Sequence, residues 1–262
     1  MGNTVRAKKH LGQHFLNNEG IALDIVQALK NTSQYNYVLE VGPGMGVLTE
    51  HLLQQKSYTL HVIDIDTESI AFLKEKYADL SNKIIEGDFL KLSFQQLFQE
   101  KPFAVIGNFP YNISTEILFK ILDNKEQVPE VVGMFQKEVA ERIASTPKNK
   151  KVYGITSVLL QAFYDIEYLF TVDETEFNPP PKVKSAVIRL TRNNVQQLNC
   201  DENLFKQVVK AGFNQRRKTL RNALKPFTFK SGEVQNKYLS KRAEELSVDD
   251  FVALTNTIEL EP

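Results

Sequence analysis

The run Asn108-Phe109-Pro110-Tyr111-Asn112 puts a side-chain amide, a rigid turn and an aromatic ring side by side. That set suits chemistry at an exocyclic amine of a nucleobase. Such an amine is a poor nucleophile because its lone pair is delocalised into the ring. An Asn side-chain oxygen and a neighbouring main-chain carbonyl can each accept one amine hydrogen, steering the lone pair toward an incoming methyl group. Pro110 stiffens the turn that aims the carbonyl, and Tyr111 offers a face on which an extruded base can stack. Out of context the same residues would merely end a strand in a turn. Methylation at a ring carbon would call for a cysteine nucleophile nearby, and the lone cysteine, Cys200, lies far along the chain.

Upstream, Glu40-Val-Gly42-Pro-Gly44-Met-Gly46 closes a β-rich run and opens a helix through Leu53. Glycines at this place let a ligand approach the backbone closely. The spacing is GxGxG where a dinucleotide site has GxGxxG, and no basic residue stands in the loop to meet a phosphate. Asp64 lies about 20 residues further on, where an acid accepts ribose hydroxyls. Glu86-Gly-Asp88 ends the next run, with Asp88 able to accept from an adenine amino group. A ligand with a ribose, an adenine, a positive charge and no phosphate fits this set, and S-adenosylmethionine is one. The competing reading is a tight strand-to-helix turn with helix-capping acids.

These residues need a scaffold that brings strand ends together. β-rich runs at Tyr37 to Val41, Thr59 to Ile63, Lys83 to Ile85, Phe103 to Ile106, Val131 to Phe135, Ile166 to Phe170 and Val183 to Leu190 predict seven strands. Helices are expected from Gly20 to Lys30, Thr67 to Tyr77 and Thr115 to Leu122. Alternation of this kind means right-handed βαβ units and a mostly parallel sheet covered on both faces. After Asn193 the strand signals stop. Helices are expected at Asn203 to Phe213, Arg216 to Leu224, Val234 to Glu245 and Val248 to Thr257, the last capped by Ser247. The reading is an α/β catalytic domain over 1–193 with a basic N-terminal arm, then a small helical domain over 198–262.

Charge follows the same division. The 262 residues carry 32 basic and 32 acidic side chains, but Lys206 to Arg242 holds eleven Lys and Arg against one acid, Glu233. Arg6, Lys8 and Lys9 add a second basic patch, with no acid before Glu19. Phe213-Asn214-Gln-Arg216-Arg217-Lys218-Thr219-Leu-Arg221 sets Arg217 and Arg221 four apart, on one face of the expected helix, as an RNA-facing surface. Phe177-Asn-Pro-Pro-Pro-Lys182-Val183 is a rigid extended turn. Phe177 reads either as the second face of a base sandwich or as a core aromatic. No run of about 18 apolar residues spans a membrane, and the four histidines show no metal-ligand spacing. A lone cysteine fits a reducing, cytoplasmic compartment, and nothing demands more than a monomer.

These pieces together resemble the ribosomal RNA adenine N6-dimethyltransferase family over nearly the whole chain. The match rests on Gly12-Gln-His-Phe-Leu16, Glu40 to Gly44, Asp64, Glu86 to Asp88, Gly107 to Ser114, Phe177 to Val183 and Phe213 to Thr219. The resemblance implies a class I S-adenosylmethionine-dependent methyltransferase: a Rossmann-like, seven-stranded sheet whose last strand is antiparallel, plus a small all-helical C-terminal domain. It implies dimethylation of two adjacent adenosines in the 3′-terminal hairpin loop of small-subunit rRNA, within an immature subunit late in assembly. It implies cofactor contacts at His14, Leu16, Gly42, Gly44, Asp64, Asp88 and Asn108, and a catalytic turn of Asn108, Phe109, Pro110 and Tyr111. RNA contacts are expected at Phe177, Lys182, Arg216, Arg217, Lys218 and Arg221, with no metal. This chain departs from the family pattern with His14 in place of Asn, Asp64 where Glu is frequent, and Phe109 in place of Leu or Ile. The rival readings are a large-subunit dimethyltransferase of the macrolide-resistance type and a non-catalytic assembly factor for the small subunit.

Overall fold

The computed structural model describes residues 5–230 and 234–259. Nine strands are present among them: β1 (Phe15–Leu16), β2 (Tyr37–Val41), β3 (Thr59–Asp64), β4 (Ile84–Glu86), β5 (Phe103–Asn108), β6 (Glu130–Gln136), β7 (Tyr164–Val172), β8 (Phe177–Asn178) and β9 (Ser185–Arg192). Seven form one sheet in the order β4-β3-β2-β5-β6-β9-β7. The pairs β3 with β4, β2 with β3, β2 with β5 and β5 with β6 are parallel, and β9 runs antiparallel to β6. This is the expected mostly parallel sheet with its last strand reversed. Its central strands read as continuous apolar runs, and Val38, Leu39, Val62, Val105, Ile106, Val131 and Val132 are all fully buried, as two covered faces require.

The order reverses at β2, whose two neighbours are β3 and β5. At such a switch point the loops after adjacent strands diverge and leave a crevice at their carboxyl ends. Helices α1 (Glu19–Gln27), α2 (Val47–Leu53), α3 (Thr67–Lys76), α4 (Phe94–Phe98) and α5 (Ser114–Asp123) fall between these strands.

Contacts between residues divide the chain into a unit running to Ala140 with Ile166–Arg192, and a second made of Glu141–Asp165 with the chain from Asn193 on. Residues 141–165, which the sequence reading leaves with the sheet, thus group with the C-terminal helices. The end of α6 (Lys137–Ala144) and all of α7 (Ile155–Gln161) lie in that segment. The second unit also holds α8 (Glu202–Asn214), α9 (Leu220–Ala223), α10 (Val234–Leu239) and α11 (Val248–Thr255). Its core includes Phe213 against Tyr153 and Phe251, at ring separations of 6.0 and 5.9 Å. Ser247 caps α11 as expected, in a reciprocal box with Asp250 closed by two bonds of 3.1 Å.

Four local expectations are corrected, the first being the helix expected from Val234 to Glu245, which ends at Leu239 because Arg242 is extended ahead of a separate turn at Ala243–Glu245. The sequence reading has no place for β1 and β8, which pair antiparallel with Leu16 opposite Phe177; two-residue strands have no periodicity to detect. Helix α1 stops at Gln27 because the buried carboxylate of Glu130 takes the main-chain N–H of Lys30 and Asn31, both at 3.0 Å, and turns the chain away. The helix expected from Arg216 shortens to Leu220–Ala223, since Thr219 is extended (φ −69°, ψ 157°). Lys218 N–H closes a turn on the Gln215 carbonyl at 2.7 Å. Arg217 therefore lies in a turn and shares no helical face with Arg221. Glu233 lies outside the described residues.

The bulk of Phe109 is absorbed inside the sheet unit. Its ring is fully buried, edge-on to Phe135 at 5.1 Å, over the space left by Gly133. A methyl group at Gly133 would fall 2.5 Å from the Phe109 ring and 2.6 Å from that of Phe135. Gly133→Ala is expected to cost about 1–3 kcal/mol by overpacking, and Phe109→Leu in the same chain to return part of it. Urea denaturation of the two single variants and the double variant checks this; additive losses would contradict it.

Candidate active site

The crevice at the switch point is a cavity of about 200 Å³, bounded by the ends of β2, β3, β4 and β5 and by the N-terminal arm. Gly42, Gly44, Asp64, Asp88, Asn108, Phe109, Pro110, Tyr111 and His14 all line it. Among the expected cofactor contacts only Leu16 stands apart, 4 % exposed in the core and outside the lining.

The glycine loop needs its glycines. Gly42 and Gly44 have φ of +70° and +55°, a region unfavourable to other residues. A side chain at Gly44 would also strike the Phe15 ring at 2.8 Å, so the arm covers the loop in direct contact. Behind the loop Glu40 is wholly buried and accepts the Thr49 hydroxyl at 2.6 Å, joining β2 to the first turn of α2. Its other oxygen, Oε1, has no partner among the described residues. Burial, with the Asp64 charge adding to it and the Thr49 bond opposing it, pushes this carboxyl up to about 8.

Asp64 is 7 % exposed at the end of β3, where Oδ1 accepts the Asp66 N–H at 2.9 Å and Oδ2 faces the Gly44 N–H at 3.4 Å. Burial raises its pKa from the ordinary carboxylate value. Asp88 caps the following short helical turn through the Leu90 N–H at 2.9 Å. Between the two acids the wall is apolar, from Ile63, Ile65, Phe89 and Leu90. Ile65, 54 % exposed, was not singled out from sequence; an apolar residue directly after Asp64 was its signal. Phe15, between His14 and Leu16, and Phe89, next to Asp88, were missed likewise.

Opposite stands the Asn108 turn. The Asn108 side-chain N–H₂ donates to the main-chain carbonyl of His14 at 2.8 Å. That bond fixes which end of the amide is nitrogen and leaves Oδ1 free to accept. Tyr111 is held twice, by its hydroxyl on the buried Ser185 and by the His14 ring stacked at 5.4 Å and 26°. Burial raises the Tyr111 phenol above its ordinary value, so it stays neutral. The His14 ring itself is anchored through Nδ1 to the Pro179 carbonyl at 2.8 Å. The His14 imidazole thus ties the proline-rich turn to the Asn108–Tyr111 turn.

The residues expected to meet RNA divide. Phe177 is 3 % exposed and paired with Leu16, so of its two readings the packing takes the core one. Lys182, Arg217, Lys218 and Arg221 are exposed. Arg216 instead donates to the main-chain carbonyls of Lys150 and Lys151, the latter at 2.7 Å.

The cavity fits S-adenosylmethionine on its own terms. It offers carboxylates for hydroxyls and an amine, a side-chain-free cradle at Gly42 and Gly44 and an apolar slot for a base. No Lys or Arg is among its lining residues, as suits a cation better than a phosphate.

A seven-stranded sheet in this order, with a glycine loop and paired acids at its switch point, is a class I methyltransferase fold. Residues 4–260 match the family model described as ribosomal RNA adenine dimethylase, and the chain belongs to that family. It is 62% identical over 254 residues to the ribosomal RNA small subunit methyltransferase A of Cytophaga hutchinsonii, covering 97% of this chain and 98% of that one. To the protein of the same name from Bacteroides thetaiotaomicron it is 55% identical over 256 residues, covering 97% and 95%. A dimethyladenosine transferase from Plasmodium falciparum superposes with a TM-score of 0.77 at 25% identity, covering 94% of this chain and 99% of that one. The 23S rRNA methyltransferase ErmE shares the fold, with a TM-score of 0.71 at 22% identity over 93% and 99% of the chains.

Glu40 makes a pH prediction. Its folded pKa of about 8 lies above the ordinary 4.5, so the folded state holds a proton that the unfolded state has lost across that window. The contribution of Glu40 to stability therefore falls as pH rises from about 5 to 8. Glu40→Gln should flatten that slope in urea denaturation followed at several pH values; an unaltered slope would assign it to another group.

Proposed function

We propose that this chain transfers methyl groups from S-adenosylmethionine to N6 of two adjacent adenosines in the 3′-terminal hairpin loop of small-subunit rRNA, acting as a monomer on an immature small subunit in the cytoplasm. The target follows from the relatives named for the small subunit, at 62% and 55% identity, against 22% for the 23S enzyme. Consistent with a cytoplasmic site, no described helix is long and apolar enough to cross a membrane.

The observation that carries the chemistry is the 2.8 Å bond from Asn108 Nδ2 to the His14 carbonyl. When bound, the cofactor supplies a methyl group on a positively charged sulfur that leaves as a neutral thioether. The chain's part is to present the amine in line. In the first transfer Asn108 Oδ1 and a neighbouring main-chain carbonyl each accept one N6 hydrogen, and in the second one of them accepts the single hydrogen that remains; both draw the nitrogen toward a pyramidal shape and aim its lone pair. Stacking on Tyr111 holds the base plane. Asp64 takes the ribose hydroxyls, Asp88 the adenine amino group, and Gly42 and Gly44 let the backbone approach. As the new N–C bond forms, the methylated nitrogen becomes acidic enough to pass its proton to water, so no strong base is required.

RNA is gripped by exposed cations, Lys182 in the sheet unit and Arg217, Lys218 and Arg221 in the helical unit. Within the helical unit, Arg216 supports the cations of its own turn by holding the 150–151 backbone.

Asn108→Ala should abolish methylation of undermethylated small subunits while leaving subunit binding within about twofold. Unchanged methylation would remove Asn108 from the chemistry. Replacing Arg217, Lys218 and Arg221 together by Ala should flatten the dependence of log K for RNA on log salt by up to about 2–3 units of slope. An unaltered slope would locate the phosphate contacts elsewhere.

A further inference from the structure

Asp66 is buried, 1 % exposed, yet does not line the cavity. Its carboxylate gathers donors from two distant parts of the sheet unit. From the start of α3 come the Glu68 N–H at 3.1 Å and the Ser69 hydroxyl at 3.2 Å, which together are an ordinary helix cap. From the arm come Lys8 Nζ at 2.5 Å and Gln13 Nε2 at 3.0 Å. The Gln13 side chain is itself fixed, because its oxygen accepts the Lys8 main-chain N–H at 2.8 Å. Asp66 also reaches the site directly, its own N–H on Asp64 Oδ1 at 2.9 Å.

The bonded arm residues lie just before the His14–Phe15 stretch that covers the cavity. One residue past Gln13, the His14 carbonyl holds Asn108, and the ring of Phe15 lies on Gly44. The buried carboxylate of Asp66 thus joins the arm to the start of α3, while the main-chain N–H of the same residue holds Asp64. Helix capping alone explains neither the lysine nor the glutamine.

We propose that Asp66 is a positioning residue that latches the N-terminal arm over the cofactor cavity, so that cofactor entry and release require Lys8 and Gln13 to leave its carboxylate. This rests on the reading that the cavity holds the cofactor. The Lys8 side chain keeps 26% of its surface exposed, so water can replace its bond when the arm opens. A partly exposed ion pair of modest strength suits a contact that must break at each turnover. Burial raises the Asp66 pKa, but the bonds from Lys8, Gln13 and Glu68 outweigh it and hold it below its ordinary value, so the latch stays charged at neutral pH.

Lys8→Met tests the proposal without touching the helix cap, and Lys8→Arg is its conservative control. In the free protein, amide hydrogen exchange over residues 8–14 should quicken about fivefold in Lys8→Met and stay near wild type in Lys8→Arg. Dissociation of S-adenosylmethionine, followed by stopped flow without RNA, should quicken by about the same factor. Faster arm exchange with a wild-type dissociation rate would overturn the latch, as would unchanged arm exchange. Loosening throughout the sheet unit at a wild-type dissociation rate would reduce Lys8 to a structural role and overturn it too. In wild-type protein the cofactor should protect the amides of 42–46 and 88. Protection elsewhere, with arm exchange still accelerated in Lys8→Met, would sink the cavity reading while supporting the arm contact itself.

Discussion

In the proposed chemistry the amide of Asn108 has one correct orientation toward an exocyclic amine, and a single hydrogen bond to the His14 carbonyl sets that orientation. An Asn that could flip would present a donor where an acceptor is required. The rest of the site serves that bond. The arm must lie where its carbonyl meets the end of β5, so β1 pairs with β8, Phe15 covers Gly44 and the His14 ring bridges Tyr111 to Pro179. The proposed mechanism draws on positioning rather than acid–base strength, in keeping with a reaction whose product nitrogen loses its own proton.

Electrostatics around the cofactor follow from burial. Glu40, Asp64 and Asp66 lie within one layer behind and beside the glycine loop, and all three are almost fully buried. Asp66 meets a lysine; Asp64 is satisfied by main-chain N–H groups, and Glu40 keeps one oxygen unpartnered. Glu40 answers burial by keeping a proton up to about pH 8, whereas a buried carboxylate met only by N–H groups, as at Asp64, costs stability when it ionises. A cationic ligand recovers part of that cost on binding, which is the general way a site trades stability for affinity.

The sheet was legible because its parallel strands carry their own signal, a short apolar run, as in Val38–Leu39, Val62–Ile63 and Ala104–Ile106. The switch-point residues were legible for the same reason, since Gly42, Asp64, Asp88 and Asn108 all terminate strands. Less legible was anything set by partners distant in sequence. The pairing of Phe15–Leu16 with Phe177–Asn178 spans some 160 residues, and the link from Arg216 to the 150–151 backbone depends on a segment lying between two stretches of the sheet unit. The helical face drawn through Arg217 and Arg221 failed because Thr219 starts a new helix, a local choice that periodicity alone does not register. Phe109 was correctly seen as bulky for its place, but the space that admits it belongs to Gly133 on the neighbouring strand.

The most direct test is methyl transfer from labelled S-adenosylmethionine to small and large ribosomal subunits that lack adenine dimethylation, followed by mapping of the modified bases. The account predicts dimethyladenosine at two adjacent positions in the 3′-terminal hairpin loop of small-subunit rRNA and none in the large subunit. Label confined to large-subunit rRNA, or tight binding to the small subunit with no label on either, would contradict it.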